Sequence, residues 1–209
     1  MNDDYWRARW RDGRIGFHEG LPNTQLAEHL GRLGTKRRVL VPLCGKAEDL
    51  AFLGAHGHQV VGVELEPAAI ESFFEEHGMV PEVTRMGPLV RYACGPITLF
   101  AGDFFASTAT VLGPVDALYD RAAIIALPPA LRLRYAQHLR ALLPAAASGL
   151  VITVEYPQHT HEGPPFSVSE SELREHFAGL SVELVGESKA EGASLQLLDA
   201  RQKCFHVRF

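Results

Sequence analysis

From residue 38 onward the chain alternates between apolar runs of strand length and segments whose apolar residues recur at helical spacing. RVLVPL (38–43) leads into KAEDLAFLGAHG (46–57), and QVVGVEL (59–65) leads into PAAIESFFEEHG (67–78). The change of period from run to run predicts a βαβα beginning. Further strands are expected at ITLFAGD (97–103), DALYD (116–120) and GLVITVEY (149–156), with a helix over PALRLRYAQHLRALL (129–143) that Pro128-Pro129 starts. The strand runs are continuously apolar rather than alternating. Both faces of the sheet must therefore be covered, which favours parallel strands flanked by helices. After a helix SESELREHF (169–177), capped by Ser169, come LSVELVGES and RQKCFHVRF, separated by too few residues for a crossover helix. These two are expected to pair antiparallel. The pattern as a whole predicts an α/β fold: a seven-stranded, mostly parallel sheet ending in a C-terminal antiparallel hairpin, with helices on both faces.

Composition narrows the setting. With 209 residues, 46% of them apolar, the chain suffices for one domain over 1–209, in which residues 1–37 form an N-terminal helical cap. The net charge of -5 comes with no cluster of Lys and Arg able to track a phosphate backbone, so nucleic acid is not an expected partner. Three scattered cysteines, Cys44, Cys94 and Cys204, suit free thiols in a reducing compartment, hence a cytoplasmic location. The N-terminal MNDDYWRARWRDGRIGFHEG has no apolar core and reads as no signal peptide. The greasiest stretch, 141–154, contains Pro144, Ser148 and Gly149 and is too short to span a bilayer. Nothing in the chain demands a partner subunit, so a monomer acting on a small molecule is expected.

The candidate chemistry sits at the ends of the strands. A dinucleotide fold places G-x-G-x-x-G after its first strand so that backbone amides approach a pyrophosphate. Here Val41 to Lys46 supply only Gly45, and GKA stands where a P-loop needs GK[ST]. Such a turn suits a ligand that carries adenosine but no phosphate, and S-adenosyl-L-methionine (SAM) is one. Glu64, which ends the second strand about 20 residues on, is placed to accept from ribose hydroxyls; otherwise it is an ordinary acid before a turn. Asp103-Phe104 ends the third long apolar run, where an acid and an aromatic can flank an adenine. Asp120-Arg121 ends the fourth, and Arg121 is read either as a functional cation or as the partner of Asp120 or of a carboxylate across the crevice. Tyr5, Trp6 and Trp10 fall near helical spacing, as a packed stripe would. Cys44 beside the turn reads as packing rather than as a nucleophile. His159 and His161 read as solvated residues of a loop that lids the pocket, so no metal site is expected; His18 is either a proton relay or a structural histidine.

WRARWRDGRIGFHEGLPNTQL, RVLVPLCGKAEDL, VVGVEL, GDFF, YDRAAIIALP and EYPQ…GPPFSVS together resemble the thiopurine S-methyltransferase family, bacterial members above all, from about Tyr5 to about Glu172. The resemblance implies a Rossmann-like class I SAM methyltransferase fold and transfer of a methyl group from SAM to the sulfur of aromatic or heterocyclic thiols such as thiopurines, or to selenium and tellurium compounds. It places Trp10, Leu43, Glu64 and Arg121 at the methyl donor, next to the turn glycine Gly45, with Asp103 and Phe104 beside the adenine. Phe17, Pro165 and Phe166 would line the substrate pocket, and Arg121 would reach both donor and substrate as the catalytic cation. Family members can carry a second substrate-side arginine near the last strands; GESKAEGASLQ offers Lys189 as the nearest candidate. The residues themselves leave open a halide or inorganic-thiol methyltransferase of the same fold, or a non-catalytic nucleotide or oxyanion binder.

Overall fold

The sheet of the computed structural model explains why the strand runs are apolar throughout. The structure describes residues 3–15, 18–190, 195 and 198–209. Among them are β1 (Arg38–Pro42), β2 (Gln59–Glu64), β3 (Glu82–Met86), β4 (Leu89–Cys94), β5 (Ile97–Ala101), β6 (Ala117–Arg121), β7 (Ser148–Glu155), β8 (Ser181–Lys189) and β9 (Arg201–Arg208). They form one sheet in the order β3-β4-β5-β2-β1-β6-β7-β9-β8. Strands β5, β2, β1, β6 and β7 run parallel, β9 is antiparallel to β7, and β8 is antiparallel to β9. These are the seven expected strands, including the C-terminal hairpin.

The other two were not anticipated. β3 and β4 form an antiparallel hairpin that pairs with β5 and extends the sheet at that edge. Their stretch is short and mostly exposed on β3, so it lacks the continuous apolar run that marked the other strands. Gly87, at φ +62°, makes the turn between them.

The helices are α1 (Asp3–Arg11), α2 (Thr24–His29), α3 (Glu48–Ala55), α4 (Pro67–Glu76), α5 (Ala109–Leu112), α6 (Pro129–Leu142) and α7 (Glu170–His176). Pro129 occupies the first turn of α6, where a missing N–H is harmless, and the Ser169 hydroxyl accepts from Glu172 N at 3.2 Å to cap α7. Val39 and Val41 of β1 pack with Leu50, Leu53 and Phe73 on one face of the sheet. Leu40 packs with Tyr135, Leu139 and Leu173 on the other. All three β1 residues are buried, and each such side chain contributes about 1.5–3 kcal/mol relative to exposure. No helix among the described residues is long and apolar enough to cross a membrane.

The strand order sets the position of the site. From β1 the chain moves outward to β2 and β5, then returns across to β6 and β7. The reversal opens a crevice beyond the carboxyl ends of β1 and β6, the place where open α/β sheets hold their ligands.

Candidate active site

Beyond Pro42 the chain bends through Leu43 and Gly45, at φ +48° and +53°. A left-handed torsion costs a residue with a Cβ roughly 1–2 kcal/mol, which glycine avoids. A Cβ on Gly45 would also lie 3.3 Å from Cζ2 of Trp10, so the lone glycine of the turn is where the α1 indole meets the backbone. Three amides of this bend donate inward: Cys44 N to Val63 O (3.1 Å), Gly45 N to Glu64 Oε2 (2.8 Å) and Ala47 N to Cys44 O (3.2 Å). Those amides are spoken for, and a linked pair of phosphates would find few donors here. Cys44 is buried against Gly62, where an added Cβ would sit 2.7 Å from its sulfur. Burial, reinforced by the Glu64 charge, pushes its thiol well above the ordinary range, so it is an inert packing residue.

Glu64 closes β2 with 7% of its surface exposed. Its Oε2 accepts from Gly45 N and its Oε1 from Glu66 N (2.9 Å). Burial raises its pKa, while the amides of Glu66 and Gly45 oppose that rise by bonding the charged form. A carboxylate has about four lone-pair sites, so each oxygen retains one for a further donor.

Arg121 closes β6 and pairs with the carboxylate of Glu19, its guanidinium 12% exposed. Of the two partners open to it, the structure selects the acid across the crevice. Asp120 points to the opposite face, where it accepts from Tyr135 Oη (2.7 Å) and Ile124 N (3.2 Å). Burial pushes the Asp120 carboxyl from its ordinary 3.8 up to about 6. Between those values the native state keeps a proton that the unfolded chain has released, so stability falls as pH rises through that window. At most about 1.4 kcal/mol is at stake per pH unit. Asp120→Asn keeps the shape and lets the Tyr135 hydroxyl turn from donor to acceptor. In urea melts between pH 4 and 7 the variant is expected to lose this descending limb; an unchanged slope would assign it to other groups.

Asp49, in the first turn of α3, lies beneath the crevice with 1% exposure. It accepts from Asn23 N (2.7 Å) and Tyr119 Oη (3.0 Å), fastening the segment after α1 to β6. Sequence reasoning missed this residue. The GKAEDL motif marks its position, but neither partner is near it in the chain.

Trp10, Leu43, Gly45, Glu64, Arg121 and Pro165 line one cavity of about 270 Å³. Other expected residues lie elsewhere. Asp103 is exposed and its Oδ1 accepts from Phe105 N (2.9 Å), capping a short turn at the crevice rim. The Phe104 ring is buried against Tyr135 and His138, with centroids 5.4 and 5.0 Å away, and does not face the cavity. Phe166 packs on Gly163 and stacks on Arg132 outside the lining. Lys189 is exposed at the end of β8, opposite Arg201, and is not part of the wall. Phe17 lies outside the described residues. In return the cavity gains Trp6 and Arg9 from α1, His18 and Glu19 from the following segment, His161 from the loop after β7 and Gln202 from β9. Burial, then the Lys46 charge, lowers the pKa of His18, which favours its neutral form.

The sequence pattern of the thiopurine S-methyltransferase family matches residues 1–201. The chain is 50% identical over 181 residues to a thiopurine S-methyltransferase of Pseudomonas aeruginosa, covering 86% of this chain and 83% of that one. It is 47% identical over 203 residues to the enzyme of the same name from Pseudomonas syringae pv. tomato, covering 96% and 92%. In overall fold it is similar to Burkholderia thailandensis 1,6-didemethyltoxoflavin-N1-methyltransferase, solved with S-adenosylhomocysteine (TM-score 0.69, 17% identity, 99% of this chain and 86% of that one). It is also similar to the N-methyltransferase NodS of Bradyrhizobium japonicum, solved with the same product (TM-score 0.63, 14% identity, 88% and 84%).

Proposed function

The chain belongs to the thiopurine S-methyltransferase family and is a SAM-dependent methyltransferase; on that premise we propose that it methylates the sulfur of aromatic and heterocyclic thiols, thiopurines among them, and the selenium or tellurium of analogous compounds. The observation that carries the reading is the meeting, in one mostly apolar cavity, of a buried carboxylate, an indole against the glycine of the turn, and a permanent cation: Glu64, Trp10 and Arg121. The residues fit an adenosyl donor. Glu64 has lone pairs left for two ribose hydroxyls, and the turn has its amides bonded inward rather than presented to phosphate.

Glu64, Gly45 and Trp10 would hold SAM, which would supply a methyl group on a cationic sulfonium to the acceptor's sulfur, with S-adenosyl-L-homocysteine and the thiol's proton as the other products. Trp10 offers that cation an aromatic face, an attraction of about 0.5–2 kcal/mol. Arg121 holds the acceptor as its thiolate, the form that attacks. An aromatic thiol is acidic enough to need no strong base, and neutral His18 is at hand to pass the proton outward. The apolar residues Leu43, Ile125 and Pro165 limit water, so positioning supplies much of the acceleration. Residues 1–37 serve as a cap over the site of a single domain, a reading supported by the cavity residues that α1 contributes. The enzyme is assigned to the cytoplasm as a monomer, a setting that suits its three free thiols.

Purified protein with radiolabelled SAM and a panel of thiophenols, heterocyclic thiols, selenols, bisulfide and iodide tests the reading. Label is expected in the aromatic thiols and selenols well ahead of the inorganic nucleophiles. Donor binding with no label in any thiol would overturn it, and faster labelling of iodide or bisulfide would favour the halide or inorganic-thiol alternative.

A further inference from the structure

Five side chains around Arg121 close into a ring of polar contacts. Tyr119, two residues before Arg121 on β6 and hence on the same face of the sheet, donates its hydroxyl to Asp49 Oδ2 (3.0 Å). Asp49 Oδ1 accepts from Asn23 N (2.7 Å), and Asn23 Nδ2 donates to Glu19 Oε2 (3.2 Å). Glu19 Oε1 then pairs with Arg121 Nη2, which brings the ring back to β6. Asn23, Asp49 and Tyr119 are each 1% exposed, whereas Glu19 and Arg121 line the cavity. The orientation of the Asn23 amide follows from its second role as the cap of α2. Its Oδ1 accepts from Gln25 N (3.0 Å), a group that can only donate, so the NH₂ must face Glu19.

Resting on the methyl-transfer reading above, we infer that Asn23 and Asp49, which do not line the cavity, are positioning residues for Arg121. Asp49 fixes the backbone at Asn23, Asn23 fixes one oxygen of Glu19, and the other oxygen holds one tip of the guanidinium. A long cationic side chain just past a strand end needs such a hold to present its fork to an acceptor thiolate at one place. Burial raises the pKa of Asp49, and the Arg121 charge is foremost among the groups that oppose the rise, so the cation is felt on the far side of the ring. The alternative is that Asn23 serves only to cap α2.

Asn23→Ser separates the two roles, because serine caps a helix as well as asparagine does but cannot reach Glu19 with a donor. With thiophenol and radiolabelled SAM, kcat/KM is expected to fall about tenfold, while the affinity for S-adenosylhomocysteine stays within about twofold. In a Glu19→Ala background the same substitution is expected to change nothing further, since the link it breaks is already gone. Asn23→Asp, which keeps the cap oxygen and the size but sets an acceptor against Glu19, is expected to lose more, and it carries the test if the serine variant is unstable. Asp49→Asn, whose carbonyl oxygen can still take Asn23 N, is expected to recover most of what Asp49→Ala loses. Asn23 variants within twofold of the parent, an equal loss with and without Glu19, or an Asp49→Asn as slow as Asp49→Ala would overturn the inference while leaving S-methylation standing. A parent that binds S-adenosylhomocysteine and methylates no thiol would sink the underlying reading, and the inference with it.

Discussion

Replacing Glu64 with alanine is expected to lower the affinity for S-adenosylhomocysteine by about a hundredfold, while kcat at saturating donor should fall by less than about tenfold. The estimate comes from two charge-assisted hydrogen bonds to ribose hydroxyls at about 1.5 kcal/mol each, the low end for bonds to an ionised group, with each 1.4 kcal/mol worth a factor of ten. Affinity should be affected before chemistry because the ribose hydroxyls take no part in the bonds made and broken and would be gripped equally in ground and transition states. The substitution also frees Gly45 N and Glu66 N, which loosens the bend itself. Glu64→Gln separates the two contributions: its single carbonyl oxygen can keep one of those amides, and it should recover part of the thermal stability but little of the affinity. Isothermal titration with parent and variants measures this directly. Undiminished affinity in Glu64→Ala would remove the ribose assignment.

Arg121→Met is expected to lower kcat/KM for an aromatic thiol by about 10²–10³, the range found when a single preorganised charge-stabilising donor is removed. Its consequence is sharper than loss of a cation, because Glu19 remains. With Arg121 gone, a largely buried carboxylate faces the site where a thiolate must form, and repels it. The double variant Arg121→Met/Glu19→Gln should therefore be more active than Arg121→Met alone, a non-additive outcome that a double-mutant cycle reads out. Arg121→Lys keeps the charge without the planar fork and should fall between. A double variant no more active than Arg121→Met would mean that the Glu19 charge does not reach the acceptor.

Much of this was legible along the chain, for a definite reason. In a parallel sheet every crossover returns the chain in one direction, so the residue that ends each apolar run arrives at the same edge. Gly45, Glu64 and Arg121 could thus be assigned to one crevice from run boundaries alone, and the scarcity of glycine after β1 pointed away from a pyrophosphate before any amide was seen to be bonded inward. The β3–β4 hairpin escaped because an exposed two-stranded extension has no buried face to imprint on its residues.

One residue beyond a strand, the alternation that governs facing gives way to loop torsions, and there the pattern loses authority. Asp103 and Phe104 stand at the expected edge, yet a capping bond turns the carboxylate outward and the core claims the ring. Phe166 follows the backbone onto Arg132 rather than into the cavity. Partner choice was likewise invisible. Arg121 finds Glu19 and Asp120 finds Tyr135 because neighbours in sequence leave a strand on opposite faces, whereas residues 102 and 15 positions away are brought within bonding distance by packing. Periodicity by itself determined seven of the nine strands, the edge where the crevice opens and three residues that line its cavity. Only the tertiary structure decided which carboxylate Arg121 meets and which aromatic rings face the cavity, because packing brings together residues that lie far apart in the chain.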